Sequence, residues 1–270
     1  MNLVPAFFIH SVCHSVSRDS LYDLNSIPSP TWSTLASRHL QVGKDLNVGT
    51  ILYDSPILKH LNKCKIERLL VDQSDQSDKI DVRYDRIQNI CFNIALDGRE
   101  TPRVAPQLDK ILDSSRKILS RFPRRVAQQL KIMAHVNDSL AEEYLKKSKH
   151  FWQIPVERIN PSNFSRTNEI FMTSVIEWHI RNNPNLKQIR ATPLDFLWPP
   201  VIIEAWIDNS MAQDLFVSYV NVESAQKGVD DVKRCRKELQ FEFQVVKKGH
   251  EKMISITHPK TRAVLEIHFA

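Results

Sequence analysis

Apolar and polar residues alternate most clearly in the last 32 residues of the chain. The segment 239–246 alternates up to Val245, and 252–257 and 263–269 continue the pattern after turn-like stretches at 247–251 and 258–261. A period of two places every second side chain on one face of a strand. The pattern therefore predicts a three-stranded antiparallel β-meander over 239–269.

Apolar residues three to four positions apart predict helices through much of the remaining chain. The clearest helix covers 106–122, where the apolar positions cluster around Ser115 and Phe122. Pro123 is predicted to end this helix and to open another that runs to about Lys149. The same spacing predicts helices over 56–71, 167–182 and 223–238.

Three further segments have other patterns. Residues 82–97 alternate in their second half and 215–222 alternate throughout, so both are predicted to contain strands. Residues 191–209 are apolar and rich in proline. Because proline cannot continue a helix interior, Pro199–Pro200 predicts buried irregular structure there, followed by a short helix or strand.

Helices combined with a local antiparallel sheet predict an α+β fold, with helix-rich N-terminal and middle regions and a C-terminal antiparallel β-meander. The polar, acidic stretch 72–81 is the best linker or exposed loop in the chain. It divides the chain into an N-terminal segment, 1–78, and an α+β domain, 79–270. That domain contains a basic helical region, 103–149, and the meander, 239–269.

The first 18 residues contain no acidic residue, one arginine and several serines. Transit peptides are poor in acids and rich in serine, so one interpretation is a short mitochondrial targeting sequence at 1–18. The alternative is a buried first strand, with Phe7, Phe8 and Ile9 in the core.

Positive charge is concentrated in one part of the chain. The net charge is +6, and residues 101–150 alone carry 11 basic and 5 acidic residues. A row of cations can follow a phosphate backbone, because each contact releases condensed counterions. We therefore assign nucleic-acid binding to Lys110, Lys117, Arg121, Arg124, Arg125 and Lys131. The alternative is an ordinary solvated helix face.

Motifs for common catalytic chemistry are absent from the sequence. It contains no G-x-x-x-x-G-K-[ST], G-x-G-x-x-G, H-E-x-x-H or G-x-S-x-G. No catalytic residue and no cofactor is therefore assigned. His10, Cys13 and His14 have a spacing that suits metal ligands, but no fourth ligand is nearby. We interpret them as surface histidines with a half-buried cysteine, and assign no metal site.

Carboxylates near predicted strands leave a nuclease open as an alternative. They are Asp208, Asp214, Glu223 and Glu242. An aspartate and a glutamate on adjacent strands can hold Mg²⁺ and polarise a phosphate, and Asp214 with Glu242 is the candidate pair. Gln244 occupies the position where such sites often have a lysine. The other interpretation is that these are outward-facing strand residues.

A group of aromatic residues accompanies the Pro-rich region. It consists of Phe151, Trp152, Phe196, Trp198 and Trp206. Tryptophan is most often a core residue, but it also anchors interfaces, so a protein partner could dock on this Trp/Pro-rich apolar region. No stretch approaches 18 uninterrupted apolar residues, so no membrane span is predicted.

Taken together, the sequence favours a non-enzymatic RNA-associated factor. If residues 1–18 direct the chain to mitochondria, the expected role is in mitochondrial RNA processing, mRNA splicing or translation. The alternatives are a metal-dependent nuclease and a structural subunit of a larger ribonucleoprotein or protein assembly.

Overall fold

The structure is a computed structural model that describes part of the chain. The described residues are 4–16, 18–43, 45–53, 63–68, 84–96, 109–110, 112–117, 119–122, 127–136, 138–161, 169–190, 198–218, 227, 230, 234, 243–248 and 251–269.

The described residues contain both helices and a large sheet. The helices are α1 Ala6–Ser15, α2 Arg18–Asn25, α3 Pro30–Val42, α4 (helical residues within 109–119), α5 Asp138–Lys147, α6 Lys149–Trp152, α7 Glu169–Asn182 and α8 Trp198–Asp208. The strands are β1 Asp45–Tyr53, β2 Lys63–Arg68, β3 Arg86–Leu96, β4 Ala127–Val136, β5 Val156–Pro161, β6 Gln188–Arg190, β7 Leu215–Ser218, β8 Phe243–Lys248, β9 Glu251–Thr257 and β10 Val264–Phe269.

All of these strands belong to one sheet, in the order β2-β1-β3-β4-β5-β6-β7-β10-β9-β8. From β1 through β3 to β7, and on to β10, every neighbouring pair is parallel. The two outer regions are antiparallel, with β2 against β1 at one edge and β10-β9-β8 at the other. The sheet is therefore mixed and largely parallel.

Helices connect the successive parallel strands from β3 to β7. Parallel neighbours need a long crossover connection, and α4, α5 with α6, α7 and α8 lie in the four crossovers. About 98% of such crossovers are right-handed, so strands taken in sequential order place their helices on the same face of the sheet. Contacts between α5 and α7 and between α7 and α8 agree with a single helical layer.

The core lies between this helical layer and one face of the sheet. One apolar row crosses eight strands through consecutive register partners, and each member is at most 2% exposed: Val48, Ile90, Leu130, Ile159, Ile189, Val217, Ile267 and Ile254. Phe171 and Val175 of α7 and Trp206 of α8 belong to the same buried cluster. The helices therefore cover the face of the sheet that carries the apolar row.

The first three helices form a small cluster of their own, built on Ile9, Cys13, Leu21 and Ala36. Arg86 connects this unit to the sheet. Its guanidinium donates to Asp45 Oδ1 at 2.8 Å and to the Val16 carbonyl at 3.3 Å. Close backbone contact at Gly43 adds to the connection, because a Cβ there would lie 2.6 Å from the Tyr84 carbonyl oxygen.

The presence of helices and a sheet is confirmed, but the α+β arrangement is wrong in its main feature. The sheet is largely parallel and runs through the middle of the chain. The three C-terminal strands are antiparallel to one another, yet they continue that sheet through β10 and β7 and are no separate meander. Strands β1 and β2 precede the predicted boundary at residue 78 and share the sheet with β3, which follows it.

Two predicted helices are strands where the structure describes them. Residues 127–136, predicted as part of a helix from Pro123 to Lys149, form β4 between β3 and β5, and a helix resumes only at Asp138. Residues 63–68, within the predicted helix 56–71, form β2. In both cases hydrogen bonding to a neighbouring strand overrides the local apolar spacing.

The proline pair at 199–200 does not prevent a helix. Helix α8 begins at Trp198, so both prolines lie in its first turn, where the missing N–H groups would have no partner within the helix. The predicted buried first strand is also wrong, because residues 6–15 are helical and Phe7 and Phe8 are exposed, although Ile9 is buried.

Other sequence predictions agree with the structure. Strands β3 and β7 lie in the segments predicted to contain strands, and α7 matches the helix predicted over 167–182. Of residues 223–238, only 227, 230 and 234 are described, and they are helical. The predicted linker 72–81 lies outside the described residues.

Substitution of Gly43 by alanine should destabilise the protein. The added Cβ would lie 2.5 Å from the His39 carbonyl oxygen and 2.6 Å from that of Tyr84, and backbone atoms cannot rotate away. We expect a loss of about 1–3 kcal/mol in the free energy of unfolding, measured by urea denaturation. Gly49→Ala is the matched control, because its Cβ would meet Cys91 Cβ at 3.5 Å and the Cys91 carbonyl oxygen at 3.7 Å, which are ordinary van der Waals contacts. Equal stability of the two variants would contradict the close approach at Gly43.

The stability of the protein should fall as the pH is lowered below about 6.5. Burial lowers the pKa of His39 to about 3 and that of His179 to about 4. Below the ordinary histidine pKa the unfolded chain binds protons that the folded protein does not, so each histidine removes at most about 1.4 kcal/mol per pH unit. Urea denaturation between pH 7 and pH 5 measures this slope. In the double variant H39Q/H179Q the free energy of unfolding should depend less steeply on pH. An unchanged dependence would contradict the lowered pKa values of the two histidines.

Candidate nucleic-acid interface

Some of the predicted nucleic-acid-binding cations lie on the outward face of helix α4. Lys110 and Lys117 are exposed on the helix, and Arg121 is exposed just after it. The opposite side is buried, as predicted, through Leu112, Ser115, Leu119 and Phe122. Ser115 is anchored there, with its Oγ 2.8 Å from His150 Nε2 and donating to the Leu112 carbonyl at 2.7 Å. Arg124 and Arg125 lie outside the described residues.

Carboxylates interrupt the positive charge of α4. Asp113 is exposed, and its Oδ1 forms an ion pair with Arg116 Nη1 at 2.8 Å. Asp109 is also exposed and lies 3.3 Å from Lys147 Nζ of α5. Asp113 is three positions after Lys110 and four before Lys117, so it shares their side of the helix. The outward face of α4 is therefore of mixed charge.

Lys131 does not belong to the α4 surface. It lies on β4 between Leu130 and Ile132, which are fully buried in the same cluster as Leu112 and Leu119 of α4. Side chains alternate across a strand, so Lys131 points to the other face of the sheet, and it is exposed there. The predicted set of cations is thus divided between two surfaces.

The face of the sheet on which Lys131 lies is mostly polar. We call it the polar sheet face and define it by two adjacent rows of register partners. The first row is Asn47, Asn89, Gln129, Arg158, Gln188, Phe216, Glu266 and Ser255. The second contains Gly49, Cys91, Lys131 and Asn160, and further along Arg190, Ser218, His268 and Met253.

Three cations occupy successive strands of the polar sheet face. They are Lys131 on β4, Arg158 on β5 and Arg190 on β6, and neighbouring strands lie about 4.8 Å apart. Lys131 and Arg190 are exposed and Arg158 is partly exposed. Among the described members of the two rows as defined from β1 to β9, the one carboxylate is Glu266, on β10, and the first row continues onto β2 with Glu67, three strands from β4. The potential near β4–β6 is therefore positive, and an anion can approach it from solvent.

Amide side chains and a pair of rings complete this surface. Asn89 is buried, and its Nδ2 donates to Asn47 Oδ1 at 2.7 Å. Gln129 and Gln188 are partly exposed on either side of Arg158. Further along, the rings of Phe216 and His268 are 4.4 Å apart between centroids, at an angle of 48°.

The histidines of the N-terminal unit are close together but do not form a metal centre. His10 Nδ1 lies 3.0 Å from His39 Nε2, and the His14 and His39 rings are 4.8 Å apart between centroids. Burial raises the pKa of the Cys13 thiol to about 11, so the thiolate that a metal requires is disfavoured. No group of three or more potential ligands in the described part of the chain could hold a metal ion.

Asp214 of the candidate nuclease pair has a structural contact. Its Oδ1 accepts a hydrogen bond from the Val264 N–H at 2.8 Å, which connects the start of β7 to the start of β10. Asp208, at the end of α8, lies 3.7 Å from Arg181. Glu223 and Glu242 lie outside the described residues.

The predicted protein-docking patch is largely buried. Phe151, Trp152 and Trp206 are at most 4% exposed and belong to the main core. Their indole N–H groups are satisfied, with Trp152 donating to the Leu145 carbonyl and Trp206 to that of Gln213. These three residues therefore cannot anchor a partner, and the side chains of Phe196 and Trp198 lie outside the described set. The helices in the described regions are all too short or too polar to cross a membrane.

Sequence reasoning missed Arg158 and Arg190. Each lies beside a buried isoleucine in a short strand, as Arg158-Ile159 and Ile189-Arg190, and this local alternation is the signal that could have found them. Their proximity to Lys131 depends on the pairing of β4, β5 and β6. Comparison with known proteins adds nothing to this assignment, since no family model and no curated protein matches the chain.

Proposed function

We propose that the protein is a non-enzymatic RNA-associated factor that holds the RNA backbone on its polar sheet face. The observation that carries the proposal is the group of three cations, Lys131, Arg158 and Arg190, on three successive strands and in two adjacent rows, none of them paired with a described carboxylate. Phosphates bind such cations because condensed counterions are released. The amides beside them offer donors and acceptors for base edges.

The sheet face supports binding better than the outward face of α4. On α4, the charge is mixed, because the exposed carboxylates of Asp109 and Asp113, paired with Lys147 and Arg116, lie among the lysines of that face. On the sheet, Glu266 is two strands away from Arg190. The cations of α4 stay a second candidate contact for the same RNA. The hydrogen bond from Val264 to Asp214 gives that carboxylate a structural role, so the nuclease alternative has less support.

Two triple variants separate the candidate surfaces. K131Q/R158Q/R190Q removes three charges from the sheet face, and K110Q/K117Q/R121Q removes three from α4. In a fluorescence-anisotropy titration against single-stranded RNA at several salt concentrations, each lost phosphate contact should lower the salt slope by about 0.7. The sheet variant should therefore lose about 2 units of slope, and the α4 variant less.

Each triple variant serves as the control for the other, because both lose three positive charges. A general electrostatic effect would weaken both variants alike. If the sheet variant remains folded by circular dichroism and keeps the slope of the unchanged protein, the polar sheet face does not bind RNA. If the unchanged protein does not bind RNA at all, the structural-subunit alternative takes its place.

The proposed setting is the mitochondrion, with a role in RNA processing, mRNA splicing or translation. Residues 1–18, joined to an unrelated fluorescent protein, should carry it to mitochondria. Deleting them from the chain is a poorer test, because it removes Ile9 and Cys13 from the buried N-terminal cluster. A diffuse signal, equal to that of the fluorescent protein alone, would contradict targeting.

A further inference from the structure

Phe216 and His268 are the two aromatic residues in the rows that define the polar sheet face. Phe216 lies in the first row of the polar sheet face, between Gln188 and Glu266, and His268 lies in the second row beside Ser218. Both rings are partly exposed, and they are 4.4 Å apart between centroids. Phe216 is the one large apolar side chain among the described residues of its row.

We propose that Phe216 and His268 form a stacking site for an unpaired base, so that the polar sheet face selects single-stranded RNA. This inference rests on the function proposed above. Bases stack on aromatic side chains regardless of sequence, because every base has a π-face. A base within a duplex is already stacked and paired, and it cannot reach these rings without being splayed out.

The distribution of charge separates a place for phosphates from a place for a base. The three cations are on β4, β5 and β6, whereas the rings are on β7 and β10, which come next in the sheet. Glu266 is next to Phe216 in register, and its Oε2 lies 3.6 Å from His268 Nε2. This carboxylate repels phosphate. The backbone is therefore held over β4–β6, and an uncharged base is the part of RNA that can settle over β7 and β10.

The size of the surface fits a short single strand. From β4 to β10 there are four strand spacings, or roughly 19 Å. At a rise of about 3.4 Å per nucleotide this equals about six stacked nucleotides, and fewer in an extended chain. A ten-nucleotide RNA is therefore long enough to reach both the cations and the rings.

The test compares Phe216→Leu with Phe8→Leu. Phe8 lies on α1 and is exposed, so the control makes the same chemical change away from the sheet. The probes are decauridylate, a ten-base-pair RNA duplex, inorganic polyphosphate and polyglutamate. We expect Phe216→Leu to weaken binding of decauridylate by roughly 5- to 100-fold, because stacking on an aromatic ring is lost. Binding of polyphosphate, which has no bases, should change less than twofold, and Phe8→Leu should match the unchanged protein with every probe.

His268→Gln is a second variant for the case in which Phe216→Leu does not fold. It should also weaken decauridylate binding and leave polyphosphate binding unchanged. The inference is overturned if both ring variants bind decauridylate as the unchanged protein does, or if the duplex binds as tightly as the single strand. Tighter binding of polyglutamate than of decauridylate would overturn it in favour of an acidic protein.

The outcomes distinguish this inference from the proposed function. If decauridylate binding depends on Lys131, Arg158 and Arg190 but not on the rings, the function stands and the stacking site fails. If the ring variants weaken binding of polyphosphate as much as binding of decauridylate, the rings do not act through bases and only the stacking site fails. If the unchanged protein does not bind decauridylate, both fail.

Discussion

Hydrogen bonding between parallel strands is the constraint on which the rest of the structure depends. Strands β3 to β7 are neighbours in both sequence and space. Each must therefore be followed by a crossover that returns the chain to the end of the sheet at which the previous strand began. Right-handed crossovers in sequential order place the helices on one face. Apolar side chains gather under that layer, and the residues between them, such as Lys131 and Arg158, face the other way.

Elements whose type follows from the local sequence pattern were predicted well. The buried side of α4 around Ser115 and Phe122 follows from local helical spacing, and the three C-terminal strands follow from local alternation. Residues 127–136 show the limit of that reasoning. Leu130 fits a helical stripe with Val126 and equally a strand with Ile132, and pairing with β3 and β5 decides between them. No local pattern contains that information.

The proline pair and the N-terminus show two other limits. Pro199–Pro200 is compatible with a helix only if the helix begins there, and sequence rules place helix ends less securely than helix interiors. In the N-terminal unit, Ile9 is buried while Phe7 and Phe8 are exposed, because α1 turns one narrow side toward Leu21 and Ala36. A continuous run of apolar residues does not indicate which of them will lie on the buried side of the helix.

The candidate site was predicted only in part. Counting charges along the sequence finds cations that are close in sequence, whereas the cations of the sheet face are close only in the folded protein. The richest basic segment, 101–150, contains Lys131 but not Arg158 or Arg190. These three cations are about thirty residues apart from one to the next, which is the length of one strand–helix–strand unit. The fold brings them onto three adjacent strands that lie about 4.8 Å apart, with Arg158 two residues along β5 from Asn160, the register partner of Lys131. On α4, by contrast, sequence proximity places Asp113, which is ion-paired with Arg116, among Lys110 and Lys117, so the charge of that face is mixed. Topology, rather than local charge density, therefore produces the more uniform positive surface.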